Sequence, residues 1–76
     1  MQTANATLDA TGLNCPLPIL KTKKELTRLA SGESLLMLST DPGSIKDIES
    51  FCQQTGNLLV NSTSSDGEFS FLIRKA

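Results

Sequence analysis

Leu35-Leu36-Met37-Leu38 is a continuous apolar run with serine on either side. A short apolar stretch without polar alternation reads as a buried central strand. The rest of the 76-residue chain must supply its neighbours. Ala6 to Ala10 is a short, modestly apolar strand candidate that Thr11-Gly12 breaks. Leu58-Leu59-Val60 leads a third strand, and Phe69 to Ile73 forms the last. Ser64-Ser65-Asp66-Gly67 between them is a polar turn carrying a hairpin signal.

Two segments carry the helical period instead. Pro16 to about Ala30 places Ile19, Leu26 and Ala30 on one side, with the Lys23 stem beside them, and Ser31-Gly32 ends it. Asp41-Pro42-Gly43-Ser44 opens the second helix, with Asp41 as N-cap and Pro42 at the first helical position. Ile45, Ile48, Phe51, Cys52 and Thr55 then recur at helical spacing until Gly56.

Each helix has one apolar face, so both must lie on a sheet. The expected fold is an α/β (α+β) two-layer sandwich in βαβαββ order. Two helices pack on one face of a four-stranded mixed sheet, and residues 1–76 form a single domain. The first strand, first helix and second strand should make a right-handed βαβ unit. With those strands parallel, Asp41 and Cys15 share the rim at the strands' carboxyl ends, where this architecture usually places its sites.

Composition excludes several classes of function. At 38% hydrophobic and 20% charged the chain reads as an ordinary globular domain, and the three phenylalanines fall at core positions. A net charge of −1 argues against a charge-driven nucleic-acid binder, so direct nucleic-acid binding is not expected. No apolar stretch approaches the roughly 18 residues of a membrane span. The polar start, Met1 to Asn5, has no basic n-region, so no signal peptide is expected and a cytoplasmic location follows. The absence of histidine excludes Ser-His and Cys-His pairs and removes the commonest zinc ligand. Two cysteines alone cannot close a structural zinc site, and neither a metal nor a cofactor is expected.

The two thiols receive opposite assignments. Cys15, in Gly12-Leu13-Asn14-Cys15-Pro16-Leu17-Pro18, stands where a loop ends and a helix begins. The partial positive charge of a helix N-terminus favours thiolate over thiol. Pro16 suits the first helical position, and Pro16 and Pro18 together stiffen the corner. Cysteine is often just a small hydrophobe. Its place at a helix start, between prolines and the loop residues Gly12 and Asn14, favours a functional thiol instead. Cys52 sits in mid-helix on the apolar face, where burial makes a thiol inert. Its rival role, as a resolving partner for Cys15, conflicts with a helical phase that points it into the sheet.

Leu17, Lys21, Lys24 and Arg28 follow i, i+4, i+7, i+11 on the side opposite Ile19 and Leu26. Such stripes are commonly no more than a solvated face. An exposed leucine beside a basic ridge, two residues from the thiol, equally suits transient docking of an acidic partner or an RNA backbone. Asp41 and Ser44 are accounted for as helix caps.

The run Leu8-Asp9-Ala10-Thr11-Gly12-Leu13-Asn14-Cys15-Pro16-Leu17-Pro18 closely resembles the signature of the TusA/SirA-like sulfur carriers, whose hallmark is C-P-x-P. The likeness continues through Gly32-Glu33, Asp41-Pro42, Asp47-Ile48, Phe51-Cys52 and Phe71-Leu72-Ile73-Arg74-Lys75. The resemblance implies the same βαβαββ sandwich. It also implies that Cys15 accepts sulfane sulfur from a cysteine desulfurase or rhodanese, holds it as a persulfide and passes it to another protein. Pro16 and Pro18 would shape its presentation. The best-known pathway of the family feeds 2-thiouridine in tRNA, while relatives serve molybdenum-cofactor maturation, sulfur oxidation or sulfur import. Some tRNA-pathway members carry an acidic residue where this chain has Leu17. Two alternatives stay open on the residues alone: a small regulatory or binding module that uses the ridge, and a thiol redox protein that pairs Cys15 with Cys52.

Overall fold

The chain runs β1 (Ala6–Ala10), α1 (Leu17–Leu26), β2 (Ser34–Ser39), α2 (Ser44–Thr55), β3 (Leu58–Ser65) and β4 (Glu68–Arg74). These elements are seen in a computed structural model that describes residues 4–14 and 17–76; the expectations for Cys15 and Pro16 therefore lie outside the described residues. The four strands stand in the order β1-β2-β4-β3. β1 is parallel to β2, and β4 is antiparallel to both β2 and β3. The expected βαβαββ order and mixed sheet are observed, with the apolar run at the centre.

Register decides which side chains make the core. Leu35 lies between Ala6 and Ile73, and Met37 between Leu8 and Phe71. Leu35, Met37, Phe71 and Ile73 are buried with Ala10 against Leu26 of α1 and Ile48, Phe51 and Cys52 of α2. Full burial of one Leu, Met or Phe contributes about 1.5–3 kcal/mol. Leu36 and Leu38 point to the other face and are half-buried. The helices cover one face only, so β2 is central without being buried on both sides. Among the phenylalanines, Phe51 and Phe71 are buried and Phe69 packs half-buried on the core.

Element boundaries differ from the sequence expectation in three places. α1 stops at Leu26, not Ala30. Past that point the Arg28 and Leu29 N–H groups donate to Glu25 and Leu26, and the Thr27 hydroxyl takes the Lys24 carbonyl at 2.6 Å. These short-range bonds tighten the chain and end the α-helix. The buried stripe of α1 is Pro18, Thr22 and Leu26, with Ile19 and Leu29 packed beside it. Ala30 is exposed, and its N–H donates to the Glu33 carboxylate at 2.8 Å.

α2 begins at Ser44, behind a separate turn. The Asp41 carboxylate accepts the Gly43 N–H at 3.1 Å and the Asp41 carbonyl accepts the Ser44 N–H at 2.9 Å. Asp41 thus caps the turn that leads into the helix, and Pro42 precedes the helix. Ile45 lies at the margin of the apolar stripe and is 36% exposed, while Ser44 takes a buried place. Gly56 ends the helix with its N–H on the Cys52 carbonyl at 2.9 Å. In the hairpin, Ser64 and Ser65 remain in β3, paired with Phe69 and Glu68. The turn contracts to Asp66 (φ 52°) and Gly67 (φ 78°), both left-handed as a type I′ turn requires.

Candidate functional site

Because β1 and β2 are parallel, Ala10 pairs with Ser39 at their shared carboxyl edge, and the connections to α1 and α2 leave the sheet side by side. The β1–α1 connection is tied down stepwise. One Asp9 carboxylate oxygen accepts the Thr11 hydroxyl at 2.6 Å and the Thr11 N–H at 3.0 Å. Those two bonds, the hydroxyl foremost, hold the Asp9 carboxyl below its ordinary value of 3.8. Gly12 follows with φ +81°. Its N–H donates across the rim to the Thr40 hydroxyl at 2.8 Å. The Leu13 N–H returns to the Ala10 carbonyl at 3.3 Å, and its side chain packs on the core. The Asn14 carbonyl then accepts the Leu17 N–H at 2.9 Å. Cys15 and Pro16 are the two residues between these partners in sequence.

The facing β2–α2 corner is held by hydroxyls with no access to water. Ser39 and Ser44 are 0% and 1% exposed and hydrogen-bond to each other at 2.7 Å. Ser39 Oγ also accepts the Asp41 N–H at 3.1 Å. Ser44 therefore anchors the corner instead of capping the helix. Thr40 lies between these fixed residues, which directs its hydroxyl toward Gly12.

In the first turn of α1, Pro18 is buried and its carbonyl accepts the Thr22 hydroxyl at 2.8 Å. Leu17 is 46% exposed, and Lys21 and Lys24 are exposed. Arg28 lies beyond the helix, with its guanidinium 3.4 Å from the Glu25 carboxylate, so part of its charge is answered within the chain. Leu20, one turn from Leu17, is 51% exposed and widens the apolar end of this surface. The sequence reading omitted Leu20, although its i+3 spacing from Leu17 was a usable signal. It also omitted Thr40, for which no local signal exists.

Cys52 is 5% exposed within the core, and burial pushes its thiol up. Among the described residues, no group of three metal-ligating side chains gathers. No helix among them is long and apolar enough to cross a membrane.

Comparison with known proteins bears on this arrangement. The sulfurtransferase TusA family model matches residues 6–75. The sulfur carrier protein TusA of Allochromatium vinosum is 55% identical over 69 residues, covering 91% of each chain. A putative sulfur carrier protein of Neisseria meningitidis is 47% identical over 68 residues, covering 90% of this chain and 92% of its own. A SirA-like protein from Desulfitobacterium hafniense, solved by crystallography, superposes with a TM-score of 0.81 at 25% identity, over 91% of this chain and 95% of its own. The fold, the order of its elements and a match spanning nearly every described residue agree: the chain belongs to the TusA family of sulfur carriers.

Proposed function

We propose that the chain carries sulfane sulfur as a persulfide on Cys15 and relays it to an acceptor protein. The observation that carries this reading is the position of Cys15 in sequence. It lies between the clamped loop residues Gly12 to Asn14 and the first turn of α1. A thiol at a helix start is favoured as thiolate, so no histidine base is needed.

In the loading step the Cys15 thiolate attacks the terminal sulfur of a donor persulfide. A new S–S bond forms, the donor's own S–S bond breaks, and the donor sulfur leaves with the electron pair as a thiolate. In unloading, an acceptor thiolate attacks the outer sulfur and Cys15 departs as thiolate. Both steps are redox-neutral thiol exchanges. Pro16 and Pro18 direct the thiol, and Gly12 supplies the turn before it. Leu17, Lys21, Lys24 and Arg28 form the docking ridge for the partner. The donor is a cysteine desulfurase or rhodanese. The acceptor is a sulfur-relay protein or a tRNA-thiolation enzyme, in cytoplasmic 2-thiouridine synthesis or a related sulfur-trafficking route. Cys52, sequestered in the core, suits no exchange step.

Mass spectrometry after incubation with a cysteine desulfurase and cysteine tests the proposal. One added sulfur on Cys15, lost in Cys15→Ala, is the expected result. A wild-type chain that takes up no sulfur overturns it.

A further inference from the structure

The β1–α1 and β2–α2 connections are separate in sequence, yet one hydrogen bond joins them at the rim. Gly12 N–H donates to Thr40 Oγ1 at 2.8 Å across a separation of 28 residues. Each partner is itself restrained. On one side, Asp9 accepts both hydrogen bonds of Thr11, and Leu13 bonds back to Ala10. On the other, Thr40 is preceded by Ser39 and followed by Asp41, which share the buried hydroxyl network with Ser44. The rigid corner at the start of α2 therefore reaches over and fixes the loop that leads to Cys15. Gly12 admits this geometry through its left-handed φ of +81°, and a Cβ there would meet nothing within 4 Å.

We propose that Thr40 is a positioning residue for Cys15. Its hydroxyl clamps Gly12, three residues before Cys15 in sequence, and so restrains the chain that leads through Cys15 into α1. This inference rests on the proposed role of Cys15. Thr40 is exposed, so water can satisfy the Gly12 N–H once the hydroxyl is removed, and the fold does not depend on the bond. Chemistry at the thiol does depend on it, because loss of orientation at a reacting atom lowers rate out of proportion to stability.

Thr40→Val removes the acceptor at nearly constant shape, and Thr40→Ser retains it. Amide exchange, the pH profile of Cys15 alkylation by iodoacetamide, and sulfur loading from a desulfurase are compared with thermal melting. In Thr40→Val the Gly12 amide should exchange about tenfold faster. The alkylation midpoint should move to higher pH, and loading should slow about three- to tenfold. Melting should stay near wild type, and Thr40→Ser should behave as wild type throughout. A wild-type alkylation profile and loading rate in Thr40→Val would overturn the proposal. So would a lowered melting temperature with an unchanged profile, which assigns Thr40 a purely structural role. If the wild-type chain takes up no sulfur, the carrier role fails by itself. The clamp is then decided by Gly12 exchange and the alkylation profile.

Discussion

The Ser39 and Ser44 hydroxyls meet at 2.7 Å where neither residue has access to solvent, and they fix the angle at which α2 leaves the sheet. Ser39 also accepts the Asp41 N–H, so Ser39→Ala leaves two partners without their bond. The expected loss of stability is about 1–3 kcal/mol. In a domain of this size that is roughly 4–8 °C of melting temperature per kcal/mol. Because the residues share one network, the Ser39→Ala/Ser44→Ala double variant should lose less than the sum of the singles. Urea unfolding of the four proteins measures this coupling.

Cys52 should affect stability but not sulfur transfer. Cys52→Ser places a hydroxyl in the apolar core and should cost about 1–3 kcal/mol. Sulfur loading on Cys15 should stay unchanged, whereas a redox pairing of the two cysteines requires a Cys15–Cys52 disulfide that this variant eliminates. Burial raises the Cys52 thiol above its ordinary value of 9.0, so the folded chain holds its proton longer than the unfolded chain. This contribution to stability is complete below pH 9.0 and is lost as pH rises toward the folded value. Melting curves above pH 9 should therefore fall less steeply in Cys52→Ala than in wild type.

Asp9 acts in the opposite direction. Its hydrogen bonds from Thr11 lower its carboxyl below 3.8, so its contribution is present above that pH and lost as pH falls through the folded value. Thr11 amide exchange should accelerate in that acid range. In Asp9→Asn it should lose this pH dependence.

The ridge on α1 gives a kinetic expectation. Lys21→Glu/Lys24→Glu should lower kcat/KM for sulfur transfer about tenfold and weaken its dependence on salt, since rim charges act chiefly on encounter. Both lysines are exposed, so melting should barely move. Leu20→Ser tests the apolar end of the same surface, and transfer unaffected by either variant would leave the ridge a solvated face.

The hairpin isolates a backbone effect. Gly67 has φ 78° and open space where a Cβ would sit, so Gly67→Ala meets no clash and pays only conformational strain. The expected destabilisation is about 1–2 kcal/mol by chemical denaturation.

Most of the fold was legible in the chain because its signals are local. The apolar run at Leu35 to Leu38 marked the central strand, one-sided periodicity marked both helices, and the polar stretch Ser64 to Gly67 marked the hairpin. Helical phase alone placed Cys52 inside the core. The helix ends were less legible. Thr27 chose the Lys24 carbonyl and Asp41 built a turn of its own, competitions between nearly equal local bonds that periodicity does not register.

The sequence by itself determined the kinds of elements, their order and the candidate thiol, since each depends on neighbours a few residues away. Tertiary structure decided that the helices cover Leu35 and Met37 but leave Leu36 and Leu38 on the open face. It also decided that Ser39 anchors Ser44 and that Thr40 reaches Gly12. These contacts exist because parallel pairing of β1 with β2 brings two distant connections to one edge. Their geometry is set by strand register and not by any pattern along the chain.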